Sequence, residues 1–373
     1  MNIMLITLSL HTGGTERVVS NLANYLSNNN NVTLTTIIND DSSYEISKKV
    51  KYIKIDSDVY SNISSINKKL KKISIKRICN LKKNIVKENP DIILCFLPLP
   101  SFYVMILKKC NNNIKKIPVI LSERGTPQIT FKNRIKYQAM KFLYKNSNGF
   151  VFQTNEAANF YNGIINCPYQ IIANPINQCF IKSKISQCRT KTIVSVGRLE
   201  KQKNNMLLLE AFEKIHTIHP DYKLLFYGTG SEKQSLIEYA KNNNLENHVE
   251  FLGNSNNIQN DIYNCGLFVL TSNFEGMPNA LMEAMALGLP CVSTDCPVGG
   301  PKELIKNNFN GILIEINNKE QLINAMLKII EEPTFAKKIS NNALLISKKY
   351  NPQEINTQWE NYIYNVINKK FNI

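Results

Sequence analysis

Along the whole of this 373-residue chain, short apolar runs are followed by a glycine-bearing or polar loop and then by a stretch of helical period. Residues 3–8 form the first run, HTGGT (11–15) the loop, and 16–26 the helix. Residues 32–38, 92–97, 119–121, 149–153 and 170–172 continue the series of strands. It restarts at 192–196, with the loop GRLEKQKN and a helix over 206–216. A strand at 223–227 precedes GTGS and a helix over 232–241, and further strands fall at 249–252, 267–270, 291–294 and 311–315. Strands that alternate with helices pair in parallel and bury both faces, so the fold class is α/β. The length suits two domains of roughly 150–200 residues each. Residues 1–174 and 175–350 are read as two doubly wound domains, with a Pro175-bearing polar linker over 173–191. Residues 351–373, with Trp359 and Tyr362, read as a terminal helix. Every loop named follows a strand and therefore lies on the carboxyl rim of its sheet, where open α/β sheets bind ligands.

The remaining composition excludes several classes. Nine cysteines without a C-x-x-C pair or a Cys/His cluster fit reduced thiols in a cytoplasm, and neither a disulfide framework nor a zinc site. The first ten residues lack the basic leader and small-residue cleavage site of a signal peptide. The tract 92–107 is interrupted by Pro98, Pro100 and Ser101, so it reads as strand, turn and helix start, not as a membrane span. Of the net charge of +16, residues 1–174 carry 24 Lys/Arg against 10 Asp/Glu, and 175–373 carry 21 against 19. Lys68, Lys69, Lys71, Lys72, Lys76, Arg77, Lys82, Lys83 and Lys87 crowd one predicted helical stretch, with Ile73, Ile75, Ile78, Leu81, Ile85 and Val86 between them. That pattern suits an anionic membrane surface, and a solvated helix face gives the same pattern. Nucleic acid is disfavoured, because the run has no aromatics for stacking. A single D-x-D, Asp56-Ser57-Asp58, stands in a polar loop without supporting carboxylates and reads as surface.

The most specific run is EGMPNALMEAMALGLP (275–290). Glu275 falls in a Gly/Pro turn just before a helix, and Glu283 lies inside that helix among apolar residues. A helix apolar almost all round is buried, and a carboxylate there needs hydrogen-bond donors. The vicinal hydroxyls of a sugar-nucleotide supply such donors; a buried Arg or Lys does so equally. In SVGRLEKQKN (195–204) a strand ends near Gly197, and Arg198 and Lys203 follow on its loop. Arg grips oxygens bidentately and Lys acts as a point charge, which suits a diphosphate; a surface ion pair with Glu200 is the plainer alternative. In HTGGTERVV (11–19), Gly13 and Gly14 open a helix, where free N–H groups favour an anion. His11 stands beside them as a candidate polar contact. LSERGTP (121–127) ends a strand, and Glu123 and Arg124 either face a cleft or form a local pair.

Taken together, GGTERVV, SVGRL with Lys203, EGMPNALMEAMALGLPCVSTD, CPVGGPKELI (296–305) and NGILIE (310–315) resemble the retaining glycosyltransferases of family four, which have the GT-B fold of two Rossmann-like domains facing across a cleft. SERGTP and VFQTNEAANFY (151–161) are similar to bacterial members that build surface polysaccharide on lipid carriers. The resemblance implies that the first domain binds acceptor, that the second binds donor, and that the terminal helix returns to the first. It implies a nucleotide-sugar donor, a UDP-sugar, and a lipid-linked saccharide acceptor, with no cofactor and no metal. Glu283 would hold the ribose hydroxyls, Glu275 the transferred sugar, and Arg198 and Lys203 the diphosphate. Gly197 would belong to the donor site, the backbone at Met277, Pro278, Asn279, Ala280 and Leu281 would approach the sugar or distal phosphate, and Gly14 the donor phosphate or acceptor. Pro278 suits the first helical turn. The chain departs from the family at Ser122-Glu123-Arg124, where many relatives carry a His, so no catalytic His is assigned. The expected location is the cytoplasmic face of the plasma membrane. A UDP-sugar 2-epimerase-like enzyme and a non-catalytic subunit remain open beside the transferase.

Overall fold

The computed structural model describes residues 1–11, 13–39, 42–56 and 74–369. Lys68, Lys69, Lys71 and Lys72, and Ser57 and Asp58 of the D-x-D run, lie outside them. The chain divides into two compact units: Met1–Ala173 together with the residues from Ile355 onward, and Asn174–Glu354.

In the first unit the described strands are β1 (Asn2–Thr7), β2 (Asn31–Thr36), β3 (Val50–Lys54), β4 (Ile92–Phe96), β5 (Val119–Ser122), β6 (Gly149–Phe152) and β7 (Tyr169–Ile171). They form one parallel sheet in the order β3-β2-β1-β4-β5-β6-β7. Leu5 of β1 is in register with Leu34 of β2 on one side and Leu94 of β4 on the other. The strand order reverses between β1 and β4, which opens a crevice at their carboxyl ends. The helices that matter here are α1 (Gly14–Leu26), α2 (Ile75–Glu88), α3 (Pro98–Cys110), α4 (Arg134–Tyr144) and α5 (Asn155–Phe160). Strand β4 ends at Phe96, one residue short of the sequence expectation, because Leu97 turns to φ 72° before Pro98 opens α3. Strand β3 is absent from the sequence expectation: VKYIK is short and Lys-rich, as an exposed edge strand tends to be.

In the second unit β8 (Thr192–Val196), β9 (Lys223–Tyr227), β10 (Val249–Gly253), β11 (Leu267–Leu270), β12 (Cys291–Thr294) and β13 (Ile312–Ile314) form a parallel sheet in the order β10-β9-β8-β11-β12-β13. Its reversal point lies between β8 and β11. Helices α6 (Asn205–Ile218), α7 (Lys233–Asn242), α8 (Asn279–Ala286) and α9 (Lys319–Glu331) carry the apolar faces that cover it. Leu208, Phe212, Leu224, Phe226, Leu322 and Met326 are among the residues that make one continuous core.

A last helix, α10 (Pro352–Asn368), buries Trp359 and Tyr362 in the first unit. Trp359 lies 5.7 Å from the Phe96 ring. The Tyr362 hydroxyl accepts from the Phe150 amide (2.9 Å) and donates to the Pro168 carbonyl (2.7 Å). Among the described residues no helix is long and apolar enough to cross a membrane, and all nine cysteines are free thiols.

Candidate active site

The loops that leave β8 and β11 flank the reversal point of the second sheet, and they are laced together. The Asn273 amide donates to the Gln202 carbonyl (2.8 Å), and Gln202 Nε2 donates to the Phe274 carbonyl (3.0 Å). Thr271 Oγ1 lies 3.0 Å from the carbonyls of both Lys203 and Asn204. This lacing brings Lys203 to Glu275: Nζ donates to Oε1 at 2.5 Å, with the two side chains only 15% and 10% exposed. Ser272 Oγ donates to the same Oε1 (2.7 Å), and Thr294 Oγ1 in turn holds the Ser272 carbonyl (2.6 Å). Oε2 of Glu275 makes no hydrogen bond among the described residues. An ammonium has three donors, and this one gives a single bond to Glu275. The pair therefore holds both charges in place with bonding capacity to spare.

Arg198 is exposed on the same loop, with its guanidinium donating to Gln202 Oε1 at 3.2 Å. Glu200 does not take the ion-pair role weighed for it; its carboxylate accepts from the Ser231 amide (3.0 Å) and hydroxyl (2.7 Å).

Two glycines let the loops meet backbone to backbone. Gly228 has φ 133°, and a Cβ there would fall 2.0 Å from the Gly197 carbonyl oxygen. A Cβ on Gly300 would fall 1.7 Å from the Gly276 carbonyl oxygen. GTGS is thus the bed on which the β8 loop rests, with the Leu199 amide donating to the Thr229 carbonyl (2.9 Å). The CPVGG loop clasps Glu275 on both sides: the Glu275 amide donates to the Pro297 carbonyl (2.6 Å), and the Val298 amide donates to the Glu275 carbonyl (2.8 Å).

Behind this turn stands α8. Pro278 occupies its N-cap position, one residue before the first turn in which it was expected, and Asn279 begins the helix. Asn174 Nδ2 donates to Asn279 Oδ1 (2.7 Å) and pins that start. Asn279 and Ala280 are half-buried, while Met277, Leu281 and Glu283 are buried. The far end of α8 is fixed by Arg189, whose guanidinium donates to the carbonyls of Tyr263 (2.6 Å), Cys265 (3.2 Å) and Gly288 (2.5 Å).

The first-unit candidates are differently placed. Gly14 is exposed at the start of α1 and His11 is half-buried. Gly13 does not offer the free amide expected of it: its N–H donates to the Tyr44 hydroxyl (3.0 Å), which donates back to the Gly13 carbonyl (2.7 Å). Glu123 and Arg124 are 5% and 7% exposed. Glu123 accepts from the Tyr161 hydroxyl (2.6 Å) and from the amides of Arg124 (3.1 Å) and Gly125 (3.0 Å). Burial pushes the Glu123 carboxyl up, against the lowering effect of these donors. Arg124 donates to Ser122 Oγ (2.8 Å) and lies 5.3 Å from the Trp359 ring and 5.6 Å from that of Phe96. These two residues tie β5 to α5 and α10.

Sequence reasoning missed Ser272, Thr294, Gln202, Asn174 and Arg189, which are uncharged residues in loops or at a strand end, or a linker cation. Nothing in their local pattern marks them; only the folded proximity does. Among the described residues no group of three His, Cys, Asp or Glu is placed to hold a metal ion.

Comparison with known proteins bears on this geometry. Residues 180–345 match the family model of glycosyl transferases group 1, and residues 7–154 match that of glycosyl transferase 4-like proteins. The chain is 29% identical over 364 residues to the N-acetylgalactosamine-N,N'-diacetylbacillosaminyl-diphospho-undecaprenol 4-alpha-N-acetylgalactosaminyltransferase of Campylobacter jejuni, covering 93% of this chain and 95% of that one. It is 35% identical over 165 residues to the UDP-Gal:alpha-D-GlcNAc-diphosphoundecaprenol alpha-1,3-galactosyltransferase of Escherichia coli, covering 43% of this chain and 42% of that one. Among solved structures it is similar to sucrose-phosphate synthase from Thermosynechococcus elongatus, with a TM-score of 0.84 and 17% identity over 99% of this chain and 100% of the other. The two domain models, the relatives aligned along most of the chain and the shared two-domain architecture together support a glycosyltransferase of the GT-B fold.

Proposed function

We propose that this protein moves a hexose or N-acetylhexosamine from a nucleotide-sugar, specifically a UDP-sugar, to a lipid-linked saccharide in surface-polysaccharide biosynthesis, with retention of anomeric configuration. The observation that carries the reading is the enclosed Lys203–Glu275 pair at the reversal point of the second sheet. Relatives whose names specify diphosphoundecaprenol-linked sugars support the acceptor class.

In this reading the spare donors of the Lys203 ammonium and the exposed Arg198 guanidinium neutralise the departing diphosphate. Oε2 of Glu275 receives a hydroxyl of the transferred sugar, while Oε1 stays occupied by Lys203 and Ser272. Glu283 takes the ribose hydroxyls, and the first-turn amides of α8 face the sugar or distal phosphate. The acceptor hydroxyl attacks from the face that the diphosphate leaves. Its oxygen forms the new bond to the anomeric carbon, the bond to the diphosphate oxygen breaks with its electron pair, and a donor phosphate oxygen takes the proton. Catalysis is then orientation and charge stabilisation supplied by fixed groups, without a covalent enzyme intermediate or a required metal ion. The enzyme works as a peripheral protein on the cytoplasmic face of the membrane, held there by the basic first unit.

The test is a panel of UDP- and GDP-sugars screened for protection against thermal unfolding, followed by transfer to polyprenyl-diphosphate saccharides. Ligand binding raises the transition by mass action, so the true donor gives the largest shift. Transfer to the lipid-linked acceptor supports the reading. Consumption of a UDP-sugar without any acceptor would replace it with the epimerase alternative.

A further inference from the structure

Helices α2, α3 and α4 lie side by side on one face of the first sheet. Their crossovers run in the same direction along it, from β3 to β4, β4 to β5 and β5 to β6, and right-handed crossovers in one direction share a face. Helix α3 packs against both of the others. On α4 the buried stripe is Met140, Leu143 and Tyr144, and the opposite stripe is Ile135, Gln138 and Phe142 at helical spacing. Ile135 is 80% and Phe142 54% exposed, and Ile129 on the preceding turn is 49% exposed. Arg134, Lys141 and Lys145 run along one side of this stripe, all exposed. The Lys109 ammonium sits 3.0 Å from the Phe142 ring centroid. A depression of about 310 Å³ opens beside Phe142, edged by Lys141, Lys145 and Ile164.

Helix α2 repeats the pattern. Arg77, Leu81 and Ile85 are buried, and Ile75 (78% exposed) and Val86 (47% exposed) stand outward among Lys76, Lys82, Lys83 and Lys87. Arg77 leaves the basic face to which the sequence assigned it, because it pairs with Asp56 at 2.7 Å. From residue 97 to residue 155 the chain carries ten Lys/Arg and one acidic residue, Glu123, which is buried.

We infer that this α2/α4 face is a docking surface for an anionic lipid bilayer, with Phe142 and Ile135 entering the interface and the lysines meeting lipid phosphates. Large apolar side chains ringed by cations and free of exposed carboxylates are what such a surface selects. Nucleic acid would gain nothing from the outward Ile75 and Ile135, and the exposed Phe142 ring is already covered by the Lys109 ammonium and not free for base stacking; a second copy of this chain would bring like charge against like. The inference locates the membrane association proposed above, and it rests on that reading.

The test is co-sedimentation of the full chain with vesicles of phosphatidylglycerol and phosphatidylcholine, or of phosphatidylcholine alone. Three variants are compared: Ile135→Ser/Phe142→Ser, Lys141→Glu/Lys145→Glu, and Lys82→Glu/Lys83→Glu. The parent is expected to bind only anionic vesicles, and each variant to bind them on the order of tenfold less, with unchanged circular dichroism and unchanged protection by UDP-sugar. A parent that ignores anionic vesicles overturns the membrane association itself. A parent that binds while all three variants bind equally well overturns the assignment to this face. Filter binding of nucleic acid at physiological salt tighter than vesicle binding, or a dimer that Ile135→Ser/Phe142→Ser dissolves, overturns it in favour of another occupant.

Discussion

Removing one member of the Lys203–Glu275 pair exposes the cost of an isolated charge in an enclosed site. Lys203→Met leaves the Glu275 carboxylate, 10% exposed, with the Ser272 hydroxyl as its remaining partner. Breaking such a pair from one side costs about 3–5 kcal/mol, because desolvation is no longer offset by attraction. In a unit of this size each kcal/mol moves the thermal midpoint by about 2–4 °C, so a shift of roughly 6–20 °C follows. Glu275→Gln is milder, since its amide oxygen still accepts from Lys203 while the charge is lost. The double variant Lys203→Met/Glu275→Gln removes both charges, so neither an ammonium nor a carboxylate is stranded in the site. It is expected to be more stable than Lys203→Met alone, with a coupling energy of about 2 kcal/mol in the cycle. Thermal melts of the four proteins by far-ultraviolet circular dichroism measure it. If the two single losses add to give the double loss within about 0.5 kcal/mol, the groups are not energetically paired and the geometry has been misread.

Other expectations are simpler. Lys203→Ala and Arg198→Ala should each lower turnover by roughly 10²–10³ in a transfer assay; turnover within threefold of the parent would remove that residue from the mechanism. Glu283→Ala should abolish the protection that UDP-sugar gives against thermal unfolding, and titration calorimetry showing unchanged nucleotide affinity would cancel its ribose role. Gly300→Ala must displace the Gly276 carbonyl, and the cost of about 1–3 kcal/mol should come with weakened donor binding; unchanged binding would mean the turn before α8 is not part of the site. Brief alkylation of the native protein at pH 8 should label Cys79, Cys110, Cys179 and Cys188, which are exposed. It should spare Cys95, Cys291 and Cys296, whose thiols burial pushes up, that of Cys296 to about 12. Peptide mass spectrometry reads the outcome.

The α/β class and the parallel sheets were legible because buried parallel strands are continuous apolar runs with hard boundaries. The limits of β8, β9, β11 and β12 fall where the runs 192–196, 223–227, 267–270 and 291–294 predict them. What failed was local. β3 carries two lysines and no continuous apolar run, so its pairing with β2 is set by the sheet edge and not by its own pattern. Arg77 looked like one more cation on a basic face, and its partner Asp56 lies 21 residues away. Lys203 and Glu275 each stood out in a motif, but their contact spans 72 residues and a strand crossing, and no periodicity encodes it. Glu123 and Arg124 stood at a strand end and read as rim residues, whereas Tyr161 and Trp359, from other elements, enclose them.

The placement of Trp359 and Tyr362 has a consequence for synthesis. The strands β4 to β6 emerge from the ribosome with Phe96 and the backbone of Gly149 and Phe150 still uncovered, because the helix that seals them is encoded after the entire second unit. At about 5–20 residues per second, the intervening chain takes roughly 10–40 s to make. The amino-terminal half is therefore begun first and closed last, and through that interval its unsealed sheet is a natural client for a chaperone.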